Sequence, residues 1–238
     1  VYPVPPETVG RTYVKLPFIR DPKDLQTFWH AKSNYKQALG VLNQQLRLNK
    51  EAREDLVKFH AAIRDRGYCQ PLSTLPEHIQ KQIANSDTLH YYVWRGVWKS
   101  SSITTPCRMV VDPMSTHLNE FLAKGLNSLN NLQKLLLDFR CWPVVGSFDI
   151  SKMYNSLYIE EEYYCFQLFL WIDELDPEGK VQVYVFTHAM YSNIASGNQS
   201  ETAIRMSADH HKEEMKEGAV AIKEKVYVDD GLPTASCM

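Results

Sequence analysis

Three aspartates are the residues of this chain best placed to do chemistry together. Asp149 closes the apolar run Pro143-Val144-Val145-Gly146-Ser147-Phe148-Asp149-Ile150, and Asp229 with Asp230 closes the shorter run Val226-Tyr227-Val228. Both runs have the β-branched and aromatic composition of strands, the first being the best buried-strand candidate in the chain, so each delivers a carboxylate at a strand end. Successive strand side chains point to opposite faces, so Asp229 and Asp230 serve one site only where the chain turns. Asp-Gly is a strong hairpin signal and Gly accepts positive φ, which puts the expected turn at Gly231. A hairpin tip laid beside the strand ending at Asp149 gathers three carboxylates. Such a cluster is unfavourable without a counter-charge. A divalent cation resolves it: Mg²⁺ takes a few carboxylates together with waters and phosphate oxygens, and two ions about 3.5–4 Å apart clamp the attacking and leaving oxygens of a phosphoryl transfer. Taken alone, Asp229-Asp230-Gly231 more often marks an exposed turn with no chemistry.

The elements that must position these residues belong to a chain of 238 residues, 44% hydrophobic and 23% charged, enough apolar mass for a core and for one large or two small domains. The formal charge of -2 gives no global basic field, so any nucleic-acid contact must be local. No apolar run approaches the roughly 18 residues of a membrane span. The Pro-rich opening (Pro3, Pro5, Pro6) lacks the basic and apolar segments of a signal peptide. Cys69, Cys107, Cys141, Cys165 and Cys237 are odd in number and far apart, which reads as reduced thiols of an intracellular protein. His210-His211 lack the spacing of a metal site and read as a solvated helix face.

Residues 1–23 read as an extended arm with one strand near Tyr13-Val14-Lys15-Leu16. From Asp24 to Gly67 apolar residues recur at helical spacing (Leu39, Leu42, Leu46; Leu56, Phe59, Ile63), predicting two helices stopped by Gly67. Pro71 to Asp87 reads as polar and turn-rich. Residues 90–94 and 107–112 have strand composition, joined by a polar hairpin loop over residues 99–106. A helix is expected from Leu118 to Arg140, broken near Gly125. Two further strands are expected over Tyr163–Trp171, where a buried helix is the alternative, and Val181–Phe186, with turn chemistry at Asp176-Pro177-Glu178-Gly179. A polar helix follows over Ser200–Glu217. The class is α+β.

The surroundings of the aspartates resemble the motifs of reverse transcriptases. Tyr227-Val228-Asp229-Asp230 and, about eighty residues upstream, Phe148-Asp149-Ile150-Ser151-Lys152-Met153-Tyr154 are similar to their paired catalytic motifs. Arg108-Met109-Val110-Val111-Asp112 resembles the fingers strand carrying a triphosphate-binding arginine. Leu118-Asn119-Glu120 with Gly125-Leu126-Asn127 resembles the segment after it, and residues 196–203 resemble the template- and nucleotide-contacting motif. With Thr105-Pro106-Cys107-Arg108 and the arm from Gly10 to Pro17, the pattern is most similar to the BEL/Pao group of long-terminal-repeat retrotransposons, over about Gly10 to Asp230.

The resemblance implies polymerase fingers and palm with an N-terminal helical extension and no thumb: an arm at 1–23, N-terminal helices and fingers at 24–140, and palm at 141–238 with part of the fingers at 161–194. It implies RNA-directed DNA polymerase activity, with dNTPs added to a primer 3′-hydroxyl on an RNA or DNA template and two Mg²⁺ ions, or Mn²⁺, held by Asp149, Asp229 and Asp230. Asp149 and Asp229 would bridge the metals, with Asp230 nearer their outer shell. Arg108 would reach the triphosphate, Lys99 being a weaker phosphate candidate. Tyr154 would lie beneath the sugar and exclude a ribose 2′-hydroxyl, and Gly197 and Gln199 would approach template or nucleotide. Tyr91, Tyr92, Trp94 and Trp98 either stack on template bases or pack in a core. The expected location, read from the reduced-looking cysteines and the lack of targeting signals, is intracellular: the cytoplasm, with virus-like particles as an alternative; the partner implied is the rest of a polyprotein, with no membrane.

Two departures qualify the pattern. The middle motif starts Ser196-Gly197 instead of with glutamine or phenylalanine before glycine, and the chain starts at Val1 and ends at Met238 soon after Asp230. The first affects the nucleotide contact; the second reads as a piece of a longer product that extends primers poorly alone. They leave open a non-catalytic, co-opted fragment acting as an interaction module. An RNA-dependent RNA polymerase palm shares the paired-Asp logic, against which Tyr154 argues.

Overall fold

A computed structural model describes residues 11–99 and 106–235. The Pro-rich opening and most of the expected hairpin loop at 99–106 lie outside the described residues. In chain order the elements are β1 (Thr12–Val14), α1 (Leu25–Trp29), α2 (Tyr35–Gln45), α3 (Lys50–Asp65), β2 (Cys69–Pro71), α4 (Glu77–Ala84), β3 (Tyr91–Tyr92), β4 (Trp94–Trp98), β5 (Cys107–Val111) and α5 (Leu132–Cys141). They continue with β6 (Val144–Val145), β7 (Phe148–Asp149), β8 (Leu157–Ile159), β9 (Leu168–Ile172), β10 (Val181–Phe186), α6 (Ser196–His210), α7 (Lys216–Lys225), β11 (Val226–Tyr227), β12 (Asp230–Gly231) and β13 (Thr234–Ala235). The architecture is mixed helix and strand. No helix among the described residues is long and apolar enough to cross a membrane.

The chain divides into two compact units, each assembled from separated stretches. The larger comprises Tyr13–Ala123 and Tyr158–Ile194; the smaller takes Lys124–Leu157 and the residues from Ala195 onward.

The larger unit is organised by a sheet in the order β2-β10-β9-β3, antiparallel except for β3 beside β9. All five residues of β9 are buried, and Phe169 stacks on Phe186 at 4.2 Å between ring centroids. Each such side chain contributes about 1.5–3 kcal/mol of burial. The Trp94 indole donates to the Leu170 carbonyl at 2.9 Å, so its one polar atom is satisfied inside the core. Tyr91, Tyr92 and Trp94 are buried here, which assigns them to packing; Trp98 is partly exposed and donates to Asp55.

Two buried histidines sit in this core. His60 of α3 stacks on Trp171 at 3.9 Å, its Nε2 has no hydrogen-bond partner, and burial pushes its pKa down to about 3, helped by the Arg64 charge. His90 faces the Phe166 carbonyl with Nδ1 at 2.9 Å, so Nδ1 must carry the proton, and Nε2 accepts from the Thr116 hydroxyl at 2.8 Å. Burial pushes its pKa down to about 4. Both are neutral at physiological pH.

Several sequence expectations need correction. The polar stretch before Asp87 contains α4, whose Ile79 and Ile83, one turn apart, are buried. The helix expected over Leu118–Arg140 is realised as α5 only, after a single 3₁₀ turn at Leu118–Glu120. Residues 163–171 divide into a 3₁₀ segment ending at Phe166 and then β9. The helix expected over Ser200–Glu217 begins at Ser196, stops at His210 with both terminal histidines exposed, and is followed by α7. Cys69, Cys107, Cys141 and Cys165 are free thiols; burial pushes Cys69 up to about 12 and Cys107 up to about 11, which removes both as nucleophiles at neutral pH.

Candidate metal centre

The three aspartates belong to the smaller unit, where β11, β12 and β7 form an antiparallel sheet in that order. Asp230 pairs directly with Asp149, and Gly231 with Phe148. Further along the same two stretches β13 pairs with β6 in an unbroken register, and Gly146 N–H bridges the gap to the Pro233 carbonyl at 3.0 Å. The ladder is interrupted opposite Pro233, which has no N–H to give. This corrects the buried-strand expectation for Pro143–Ile150: the stretch forms the short edge strands β6 and β7, with Val145 and Phe148 exposed.

The turn is also not where the Asp-Gly pair put it. Tyr227 pairs with Asp230, so the two turn residues are Val228 and Asp229, and Val228 has φ +59°. A positive φ at the first central residue marks a primed hairpin turn, whose twist matches the flanking strands. For a β-branched residue this conformation is costly and is held only by its surroundings. One restraint is visible: Ile150 N–H donates to the Asp229 carbonyl at 2.7 Å, tying the turn to the end of β7.

Gly231 lies in β12 and matters for closeness. A Cβ there would stand 2.1 Å from the Phe148 ring, so only a hydrogen fits beneath it. Gly231→Ala is expected to push Phe148, and with it Asp149, away from the hairpin. Because Phe148 is part exposed and can yield, the stability cost is about 1 kcal/mol; the sensitive readout is a weaker affinity for Mn²⁺, measured by titration.

One oxygen from each of Asp149, Asp229 and Asp230 lies within 4.8 Å of the others. Among the described residues none of the three is in an ion pair. Asp149 and Asp230 are exposed and Asp229 half-buried, so ions and phosphates have access. Three carboxylates this close offer the hard oxygen donors that Mg²⁺ or Mn²⁺ takes.

Other sequence-selected residues fall as follows. Tyr154 is part-buried in a 3₁₀ turn of the same unit; burial raises its hydroxyl pKa and the Asp229 charge raises it further, which puts the phenol within electrostatic reach of the cluster. Gly197, exposed, and Gln199, half-buried, occupy the first turn of α6, also in this unit, and a Cβ at Gly197 would meet nothing within 4 Å. Arg108 and Lys99 belong to the larger unit. Arg108 is exposed on β5, paired across the β4–β5 ladder with Val97, and Lys99 is exposed just past β4. The structure therefore brings the three aspartates together and sets Tyr154 near them. Sequence reasoning missed the conformation of Val228; the two-residue gap between Tyr227 and Asp230 was its only trace.

No protein-family model matches the chain, and no curated protein sequence does either.

Proposed function

We propose that the protein is the nucleotidyl-transfer portion of an RNA-directed DNA polymerase of the BEL/Pao type, with polymerase palm and fingers as its architecture. The observation that carries this reading is the convergence of Asp149, Asp229 and Asp230 within 4.8 Å from a strand and a hairpin eighty residues apart. Asp149 and Asp229 would hold the metal ions, with Asp230 as the third and more peripheral acid. The chemistry such cations would supply there is a lowered pKa for a primer 3′-hydroxyl and stabilisation of charge on the departing pyrophosphate. The reaction forms a bond from that oxygen to the α-phosphorus and breaks the bond to pyrophosphate, with the hydroxyl proton lost to solvent. In this reading Tyr154 selects deoxyribose, and Gly197 and Gln199 line the path of template or nucleotide.

The test is single-nucleotide addition to a primed RNA or DNA template by the full chain at micromolar concentration with Mn²⁺, where weak primer grip matters least. Metal-dependent addition of dNTPs in preference to ribonucleotides, abolished in Asp229→Asn, supports the reading. Addition undiminished in Asp229→Asn, or template and metal binding both absent, overturns it and favours a non-catalytic module.

A further inference from the structure

We propose that Asn130 is a positioning residue for the Val228–Asp229 turn, capping the free edge of β11 and so fixing where the hairpin presents its carboxylates. The functional part of this proposal rests on the metal reading above; the structural part does not.

β11 is the outer strand of its sheet. The Lys225 carbonyl accepts from Leu232 N–H at 2.7 Å and so points toward the returning strand. Carbonyls alternate along a strand, so the next one, on Val226, points outward from the hairpin. Asn130 meets it there: its Nδ2 donates to the Val226 carbonyl at 2.8 Å and to the Lys223 carbonyl at 3.0 Å. Lys223 is in the last turn of α7, where no helix N–H reaches the carbonyls. One carboxamide thus uses both of its hydrogens to join a helix end and a strand start, two residues before Val228.

The segment that carries Asn130 is itself anchored. Asn198 of α6 donates to the Leu126 carbonyl at 2.7 Å, and Arg205 of α6, paired with Glu201 at 3.1 Å, donates to the Ser128 carbonyl at 2.9 Å. Gly125, at φ +81°, permits that approach, because a Cβ there would stand 2.4 Å from the Asn198 amide. Residues 125–130 therefore form a strut from α6 to β11. The strained turn is held from two sides, by Ile150 N–H on the Asp229 carbonyl and by Asn130 on the outer edge.

The experiment compares three variants of the full chain. Asn130→Ala removes the carboxamide; Asn130→Asp keeps its shape and removes the donors. Asn131→Ala is the control, since the neighbouring Asn131 caps α5 by accepting from Lys134 N–H at 2.9 Å and has no bond to the hairpin. Two quantities are read: hydrogen-exchange protection of the Ile150 amide and Mn²⁺ affinity. Loss of a residue that orients ligands lowers metal affinity by ~10-fold or more. Both Asn130 variants are expected to show that loss, with Ile150 protection reduced by about as much, whereas Asn131→Ala lowers the melting temperature and leaves both readouts within ~2-fold. Unchanged Ile150 protection in both Asn130 variants overturns the proposal. Should the wild type bind no Mn²⁺, the metal reading fails, and the Ile150 result alone decides whether Asn130 seats the turn.

Discussion

Asp149→Asn is expected to lower templated deoxynucleotide addition by about 10³-fold, the scale of losing one electrostatic contact with a transition state. Asp149 is the member of the cluster that comes from outside the hairpin, paired directly with Asp230. An amide keeps its shape and backbone pairing while removing its charge, so the ladder survives while the proposed metal site loses one of its three negative charges. The same substitution relieves repulsion among three carboxylates within 4.8 Å of one another, so the melting temperature should stay level or rise. Activity lost with stability kept is the signature of a site built for a ligand. Activity retained in that variant would remove Asp149 from the chemistry.

Acid should destabilise the larger unit steeply. His60 and His90 have folded-state pKa values lowered to about 3 and about 4 by burial. A base with a depressed folded pKa binds its proton in the unfolded chain first, so below about 6.5 protonation favours unfolding. Stability is therefore full above about pH 6.5 and falls as the pH drops toward 4, by up to about 1.4 kcal/mol per pH unit for each histidine. Over two pH units the two together remove several kcal/mol, comparable with the total stability of a domain, about 5–15 kcal/mol. Denaturant melts from pH 7.5 to 4.5 should show this slope. His60→Phe keeps the stack on Trp171 and removes one of the two protons, so it should roughly halve the slope; an unaltered slope would contradict the assignment to His60.

The legible parts of the sequence were those where local chemistry and tertiary packing agree. The spacing of Leu39, Leu42 and Leu46 predicts α2, the density of Val181 to Phe186 predicts β10, and the type and order of the three aspartates predict their meeting. The helix expected through Leu126 and Leu129 fails because α6 side chains take the carbonyls of Leu126 and Ser128, leaving both leucines exposed. The α4 pattern is thin, with Ile79 and Ile83 the only large apolar residues of its eight, so polar composition hid it. The stop after His210 has no Gly or Pro to announce it; Glu214 and Met215 turn back onto the His211 carbonyl instead. The Asp-Gly signal misplaced the expected turn, because the close approach of the Phe148 ring, which reserves Gly231, comes from more than eighty residues away in sequence.

The most direct test of the central claim is a Mn²⁺ titration followed by electron paramagnetic resonance on the wild type and on single Asp→Asn variants at 149, 229 and 230. Saturable binding by the wild type, weakened in each variant and most in Asp149→Asn and Asp229→Asn, is the predicted result. No saturable binding, or equal binding in all four proteins, would contradict it.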